Sequence, residues 1–328
     1  MRVFVTGATG FVGSHLATSL LDRGEEVVCL VRDVEKARRM LGEPFPEFVC
    51  GSLTDRETLR SACSDADVVF HSAGLTTART REKFFAINAD ATQILVEAVA
   101  DSAPKLNRFV YISSQAAAGP SKQGMPRTER DSPATVSNYG ASKLEGEKRV
   151  RDSGLPWTVV RPCAVYGPGD RAFLTVFKLV RLGFMPVLGS TEQELSMVHI
   201  SDLVDALLRV VKPITQSQTY FVSHPETVTA KALCRHISSA LSPGKAKRPL
   251  VFGLPRWAIR GILSVTHAAA GLAGKSTFLS PDKGNEYLAE AWLCSSKKLE
   301  EDTGWCAEMG IEEGILDTAR WYREHSWL

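Results

Sequence analysis

Several features that would place a protein in a narrow class are missing from this sequence. No apolar run approaches about 18 residues without a charge, so we expect no transmembrane helix. Strand-like residues begin directly after Arg2, which leaves no room for a signal peptide. Neither sign of charge dominates, because 39 basic residues face 37 acidic ones. We therefore expect no global field that would attract nucleic acid or a charged membrane.

The cysteines are too scattered to form a disulfide framework. Seven of them occur at wide spacing, without a Cys-x-x-Cys pair, and an odd number cannot pair completely. No spacing typical of metal ligands emerges among the histidines, cysteines and carboxylates either. The sequence therefore predicts free thiols, a reducing and cytoplasmic location, and no metal site.

What the sequence does contain is a glycine-rich turn near its start. An apolar strand at residues 3–5 leads into Gly7, Gly10 and Gly13, and apolar residues at helical spacing follow. Gly7 permits the positive φ of a tight turn, Gly10 lets the backbone approach a pyrophosphate, and Gly13 allows the helix to pack on the strand. The first N–H groups of that helix favour a phosphate. A turn without a ligand is the alternative, but a second strand at residues 26–31 favours a nucleotide-binding βαβ unit.

Strand-like segments alternate with helical patterns along most of the chain. Such alternation builds a parallel sheet with helices on both faces and ligands at the carboxyl edge. We therefore predict an α/β fold, a Rossmann-type doubly wound parallel sheet with a smaller C-terminal substrate-binding region. The dinucleotide-binding domain is expected at residues 1–166, with residues 195–224 returning to it, and the substrate-binding region at residues 167–194 and 225–328. The predicted strands of the sheet are residues 2–6, 26–31, 47–50, 67–71, 107–113, 156–161 and 218–223.

A tyrosine and a lysine four residues apart open the helical pattern at residues 138–152. Tyr139 and Lys143 project on the same helix face, and a nearby ammonium would lower the pKa of the phenol and make it a better acid–base group. An upstream strand ends at Ser113 and Ser114, where a hydroxyl is able to donate a hydrogen bond to a carbonyl oxygen that gains charge. An ordinary exposed helix pair is the alternative, but the glycine turn favours the catalytic interpretation.

With these motifs the chain resembles the extended short-chain dehydrogenase/reductases, which include the nucleotide-sugar epimerases and dehydratases. The matching motifs are TGATGFVG at 6–13, HSAG at 71–74, FFAINADATQILVEAV around Asn88, ISS ending at Ser114, YGASK at 139–143, RPCAVYGPGD at 161–170 and MVHISDL at 197–203. The resemblance implies that Tyr139 is the general acid–base residue, that Lys143 holds the nicotinamide ribose and tunes Tyr139, and that Ser114 orients the substrate oxygen. Ser113 is then a structural hydroxyl.

The resemblance also implies the residues that surround a nicotinamide dinucleotide. In the family, residues after Pro162 contact the carboxamide side of the nicotinamide, so Cys163 and Val165 are expected to line that pocket. The resemblance further suggests a homodimer paired through the helices around residues 84–101 and 138–152. The expected cofactor-binding residues are Gly7, Thr9, Gly10, Phe11, Val12, Gly13, Arg32, Ser52, Leu53, Ala73, Gly74, Tyr139, Lys143, Pro162 and Val165.

The end of the second strand bears on the choice between NADP and NAD. A basic residue there accepts the 2′-phosphate of NADP, whereas an acidic residue binds the ribose hydroxyls of NAD. Arg32 takes this position, and Asp33 is well placed to cap the next helix. We therefore favour NADP, with NAD held by Asp33 as the alternative. The family commonly has an acidic residue after the glycine of the third strand, but this chain has Ser52 and Leu53, so contact with adenine there is weaker or is made by backbone.

Two reactions fit these motifs. In the first, hydride passes between NADPH and an external ketone or secondary alcohol while Tyr139 moves the proton. In the second, an epimerase or dehydratase returns the hydride to a nucleotide-sugar within one turnover. Sugar-nucleotide members carry an Arg-Asp-Phe-like run before the strand near His199, where this chain has Leu-Ser-Met-Val, and its tail lacks an arginine pair suited to a diphosphate. The first reaction is therefore favoured. A non-catalytic dinucleotide sensor is a further alternative, although such proteins tend to lose the tyrosine or the lysine.

The tail contains one apolar helical stripe. We expect this stripe to pack on the body of the protein, and a lid over a hydrophobic substrate or contact with a membrane surface are the alternatives. The basic residues Lys245, Lys247 and Arg248 favour surface contact. Dihydroflavonol reductases and hydroxysteroid dehydrogenases carry comparable apolar segments, so the expected small-molecule substrate is a bulky, mostly apolar ketone. The stripe consists of Leu254, Ala258, Ile262, Val265, Ala269 and Leu272.

Overall fold

The computed structural model describes residues 1–242, 249–274 and 276–328. Lys245, Lys247 and Arg248 therefore lie outside the described residues. The strands are β1 (Arg2–Thr6), β2 (Glu26–Val31), β3 (Glu47–Cys50), β4 (Val68–His71), β5 (Arg108–Ile112), β6 (Trp157–Pro162), β7 (Ala164–Tyr166), β8 (Phe184–Val187), β9 (Glu194–His199), β10 (Gln218–Val222), β11 (Thr227–Thr229) and β12 (Leu250–Gly253). The α-helices are α1 (Phe11–Asp22), α2 (Val34–Leu41), α3 (Arg56–Cys63), α4 (Arg81–Phe85), α5 (Ala91–Ser102), α6 (Asn138–Arg151), α7 (Arg171–Arg181), α8 (Ile200–Arg209), α9 (Ala230–Leu241), α10 (Arg256–Leu272), α11 (Pro281–Tyr287), α12 (Lys297–Thr303) and α13 (Ile311–Glu324).

The central sheet is parallel and has the strand order β10-β6-β5-β4-β1-β2-β3. Its seven strands are the segments predicted from the sequence, and their ends differ from the prediction by no more than one residue. The predicted Rossmann-type α/β fold is therefore confirmed. The chain changes its direction of winding between β1 and β4, and at such a switch point a parallel sheet binds ligands at its carboxyl edge.

Apolar side chains on the two faces of the sheet form two core layers. In β1, Val3 and Val5 face one layer and Phe4 the other, because successive side chains of a strand alternate. Helices α1, α2 and α8 contribute to the first layer, and α3, α5 and α6 to the second. Strands covered on both faces are mostly apolar, which is why short apolar runs identified them in the sequence.

A smaller region stands beside the carboxyl edge of the sheet. Strand β9 pairs with β7 in parallel and with β11 in antiparallel orientation, and β8 pairs with β12. Its core includes Phe173, Phe177, Ile315 and Tyr322. Of these strands the sequence indicated only β9, near His199; the others are short and were not recognised. Of the segment 195–224, β10 joins the central sheet, whereas β9 belongs to this smaller region.

The prediction that the apolar stripe of the tail packs on the body is wrong. Helix α10 buries Ile259 and Leu263, and Leu263 lies against Gly284 of α11. Of the stripe itself, Val265 is 69% exposed and Leu272 is 93% exposed. Helical spacing identifies apolar faces of a helix but does not say which face packs on the body of the protein. Helix α10 has two apolar faces on opposite sides. Among the described helices, none is long and apolar enough to cross a membrane.

Candidate active site

The glycine turn between β1 and α1 is shaped by close backbone approach. Gly7 has φ of +78°, and a Cβ at this position would lie 2.6 Å from the backbone nitrogen of Ala73. A Cβ on Gly13 would collide with the carbonyl oxygen of Gly7. Helix α1 begins after Gly10 without a side-chain cap, so its first N–H groups are available to an external acceptor. This cradle fits the pyrophosphate of a dinucleotide.

A cavity of about 410 Å³ opens at the switch point of the sheet. Its walls are the first turn of α1, the loop after β4, the end of β5, the start of α6 and the segment that follows β6. Nine of the residues predicted for catalysis or cofactor binding meet in this cavity, namely Gly10, Phe11, Val12, Gly74, Ser114, Tyr139, Lys143, Pro162 and Val165. Cys163 and Ser113 line it as well, together with Ser72, Leu75, Thr76 and Ile112, which the sequence argument did not single out.

The remaining predicted cofactor residues lie outside this cavity. Gly7, Thr9, Gly13 and Ala73 belong to the glycine turn or pack against it. Arg32 follows β2 and is exposed, whereas Ser52 and Leu53 follow the neighbouring strand β3. Leu53 packs on the core, and the Ser52 hydroxyl shares a hydrogen bond of 2.8 Å with that of Thr54. Any contact of these three residues with adenosine stays a prediction.

Asn88 ties the loop after β4 to the helix that carries Tyr139. Its Oδ1 accepts a hydrogen bond from the backbone N–H of Leu75 at 2.8 Å, and its Nδ2 donates to the Leu75 carbonyl at 3.0 Å and to Ser142 Oγ at 2.9 Å. Asn88 lies in a π-helical turn at residues 86–90, between α4 and α5. Such turns concentrate at functional sites because they re-aim side chains. Here the turn holds two walls of the cavity in register.

Tyr139 is buried near the start of α6. The ring of Phe84 lies 6.1 Å from that of Tyr139, centroid to centroid. Burial raises the pKa of Tyr139 to about 12, the nearby Ser114 side chain opposes this rise, and the charge of Glu286 adds to it. The expectation of a lowered phenol pKa is thus not met, because the cost of burying a phenolate exceeds the favourable contacts.

Lys143 is buried one helical turn further along α6. Its Nζ donates a hydrogen bond of 2.8 Å to the carbonyl oxygen of Ile112 and lies 4.2 Å from the centroid of the Tyr111 ring. Burial lowers the pKa of Lys143 to about 7, against the opposing effect of Glu147. The amine therefore exchanges protons near neutral pH, which suits a residue placed beside an acid–base group.

Ser113 points away from this chemistry. Its hydroxyl donates a hydrogen bond of 2.7 Å to Oε1 of the fully buried Glu147. Ser114 is instead the residue that lies beside Tyr139. The role of Ser114, rather than Ser113, in orienting the substrate oxygen stays a prediction.

Helix α11 supplies three residues that were not predicted from the sequence. Nζ of the buried Lys283 lies 4.4 Å from the centroid of the Tyr139 ring and 2.7 Å from Oε2 of Glu286. Glu286 also accepts a hydrogen bond from the Ser137 hydroxyl at 2.5 Å, and Asp282 accepts one from the Asn138 N–H at 2.9 Å. An i,i+3 ion pair in a tail helix looks like an exposed surface pair, so no sequence signal marked it.

Known proteins are similar to this chain over most of its length. The model of the NAD-dependent epimerase/dehydratase family matches residues 3–222. A ceramide reductase of Caulobacter vibrioides is 30% identical over 328 residues, which cover 99% of this chain and 96% of that protein. A UDP-glucose 4-epimerase of Vibrio cholerae is 27% identical, with 97% and 94% covered. The structure of MoeE5 in complex with UDP-glucose and NAD has a TM-score of 0.76 at 24% identity, with 99% and 100% covered, and this likeness shows the fold alone.

Proposed function

The chain belongs to the NAD-dependent epimerase/dehydratase family, and from that premise we propose that it is an NADP-dependent oxidoreductase acting on a bulky, mostly apolar ketone or secondary alcohol. Membership of this family makes it an NAD(P)-dependent enzyme. One observation carries the proposal: Ser114, Tyr139 and Lys143 line the same cavity as the first turn of α1.

The side chains have different roles toward a carbonyl group bound in this cavity. Ser114 orients the carbonyl oxygen, and Tyr139 donates its proton to that oxygen as negative charge develops. Lys143 favours the phenolate that remains and is positioned for the ribose next to the nicotinamide. Hydride transfer is the chemistry that the nicotinamide dinucleotide supplies when bound. The turn at Gly7 and Gly10 would hold its pyrophosphate.

The surroundings of the cavity leave room for a large substrate. Leu75 lines both the catalytic cavity and a neighbouring groove of about 690 Å³. That groove provides room for a long substrate beyond the reacting carbonyl. The similarity to a ceramide reductase over nearly the whole chain supports a bulky, mostly apolar substrate, since ceramide is a lipid. The alternative remains an NAD-dependent nucleotide-sugar epimerase or dehydratase, which the similarity to a UDP-glucose 4-epimerase supports.

Two measurements on the purified protein separate these functions. We expect ketones of long-chain aliphatic, steroid or dihydroflavonol type to be reduced with consumption of NADPH, and UDP-glucose to be left unchanged. Copurification of tightly held NAD, with interconversion of UDP-sugars and no net consumption of NADPH, would assign the chain to the epimerases instead. Cofactor binding without turnover of either class would support a dinucleotide sensor.

Arg32 is expected to determine the preference for NADP. The Asp33 carboxylate accepts a hydrogen bond of 2.9 Å from the Lys36 N–H as the cap of α2, which leaves Arg32 as the free charge at the end of β2. Arg32→Ala should weaken NADPH binding about tenfold, because a charge-assisted hydrogen bond to the 2′-phosphate is lost, and should leave NADH binding unchanged. Fluorescence titration of both cofactors tests this, with Arg39→Ala on the exposed face of α2 as the matched control. Equal losses for NADPH and NADH would contradict the assignment.

Glu286 is expected to shift the pH dependence of the reaction, which burial of Tyr139 mainly determines. In alcohol oxidation Tyr139 acts as a base, so kcat/KM rises with pH below the phenol pKa. The negative charge of Glu286 raises that pKa. Glu286→Gln should therefore move the rising part of the profile of kcat/KM against pH to lower pH. At a fixed, mildly alkaline pH, kcat/KM of this variant should be higher. Glu290→Gln, an exposed carboxylate close by in the chain, is the control, and a rising part that moves to higher pH in Glu286→Gln would refute the electrostatic argument.

We also propose that the chain is divided into a dinucleotide-binding domain and a substrate-binding region. We further propose that two copies of the chain form a homodimer through the helices around residues 84–101 and 138–152. Sedimentation equilibrium of the purified chain tests the pairing.

A further inference from the structure

Large apolar side chains are exposed along α10 and the strand before it. Trp257 is 78% exposed and Leu250 of β12 is 65% exposed, in addition to the exposed Val265 and Leu272. Leaving such side chains in water costs free energy in proportion to their apolar area. We call the outward face of α10, together with β12, the α10 surface.

The α10 surface is a continuous stripe. Its helical members follow one another at steps of four, four, three and four residues, which places them on one face of a helix. These members are Trp257, Gly261, Val265, Ala268 and Leu272. The opposite face of α10 already packs on α11, so the stripe is a second apolar face, of which Trp257, Val265 and Leu272 are exposed and Ala268 borders the neighbouring groove.

The charges beside the stripe have one sign. Helix α10 carries Arg256 and Arg260 and contains no aspartate or glutamate. The neighbouring groove contributes Arg79 and Lys83, and no carboxylate lines it. An apolar stripe flanked only by cationic side chains is complementary to a surface with an apolar interior and anionic headgroups.

The groove connects this face to the chemistry. His267, Ala268 and Gly271 of α10 form one wall, and the segment 75–83 forms the other. Leu75 at its inner end also lines the catalytic cavity. A lipid partner at the α10 surface thus lies beside a groove that adjoins the cavity containing Tyr139.

We propose that the α10 surface docks the protein on an anionic lipid membrane. A second copy of the chain fits this face less well, because a twofold interface would bring Arg256 and Arg260 close to their own counterparts. Helix α10 lies in the plane of the lipid headgroups, with Trp257, Val265 and Leu272 inserted and the two arginines among the phosphates. Docking in this position turns the mouth of the groove toward the lipid.

Flotation with lipid vesicles tests the proposal. The full-length protein should float with vesicles of phosphatidylcholine and phosphatidylglycerol, less with phosphatidylcholine alone, and less at high salt. Val265→Asp combined with Leu272→Asp should lower vesicle binding at least about tenfold, because the two apolar side chains that insert into the bilayer are lost. Arg256→Gln combined with Arg260→Gln should lower binding to the anionic vesicles about fivefold per charge and leave binding to phosphatidylcholine alone unchanged.

Two controls show whether a change in vesicle binding is separate from any change in folding or in catalysis. Met125→Asp combined with Ile214→Asp changes two exposed apolar residues elsewhere and should float like the wild type. NADPH titration in buffer without lipid should be the same for all variants, so vesicle binding can be judged even if no ketone proves to be a substrate. Failure of the wild-type protein to float with anionic vesicles overturns the proposal. Unchanged flotation of the Val265→Asp, Leu272→Asp variant also overturns the proposal. The proposal is likewise overturned if the wild-type protein is a dimer and this variant is a monomer.

Discussion

Replacing Tyr139 with phenylalanine is expected to lower kcat for ketone reduction by about three orders of magnitude, with unchanged affinity for NADPH. Only the hydroxyl is removed, so the ring remains packed between Phe84 and the Lys283 ammonium. The proton must then come from water, which the buried position of the side chain disfavours. Single-turnover kinetics with preloaded NADPH would place the loss in the chemical step rather than in cofactor binding.

The size of this effect depends on Tyr139 remaining protonated. Burial raises its pKa to about 12, so the phenol keeps its proton throughout the neutral range and is ready to act as an acid. Tyr287→Phe is the matched control, because its hydroxyl only donates a hydrogen bond of 3.0 Å to the Phe278 carbonyl. We expect this control to retain nearly full activity. A Tyr139→Phe enzyme that reduces ketone at more than a tenth of the wild-type rate would remove the phenol from the mechanism.

The part of the site that follows from the sequence depends on local rules. The glycine turn could be predicted because Gly7 and Gly13 are required by a positive φ and by a backbone contact that no other residue allows. Tyr139 and Lys143 could be placed together because helical spacing alone puts them on one face. The strands of the central sheet were recognisable because burial on both faces makes most of their residues apolar.

The part that could not be predicted depends on contacts between distant segments. Lys283 reaches Tyr139 across more than a hundred residues of chain, and nothing near either residue indicates this contact. The outward direction of Val265 was missed because periodicity does not distinguish the two apolar faces of α10. The pKa of Tyr139 was misjudged for a related reason: the ammonium was visible in the sequence, whereas the depth of burial was not.

Glu147 is the residue whose replacement should cost the most stability. Its fully buried carboxylate accepts hydrogen bonds from Arg161 Nε at 2.8 Å, from Arg161 Nη2 at 2.7 Å and from Ser113 Oγ. Arg161 is itself buried, and its guanidinium lies 5.6 Å from the centroid of the Phe221 ring. Glu147→Gln would remove the carboxylate that is hydrogen-bonded to this buried guanidinium and would also break the ion pair with Arg151. We expect the free energy of unfolding to fall by about 3 to 5 kcal/mol, measured by denaturant titration.

The same helix offers a matched control for this prediction. Glu145 is partly exposed and pairs with Arg149 at 3.1 Å, so Glu145→Gln should change stability by less than about 0.5 kcal/mol. Replacing Glu147 by Leu and Arg161 by Met together should recover much of the loss, because no buried charge then remains unpaired. If Glu147→Gln is no more destabilising than Glu145→Gln, the ion pair does not support the join between β6 and α6. Glu147 also raises the pKa of Lys143, so Glu147→Gln should leave less ammonium beside Tyr139 at neutral pH and link the loss of stability to a loss of activity.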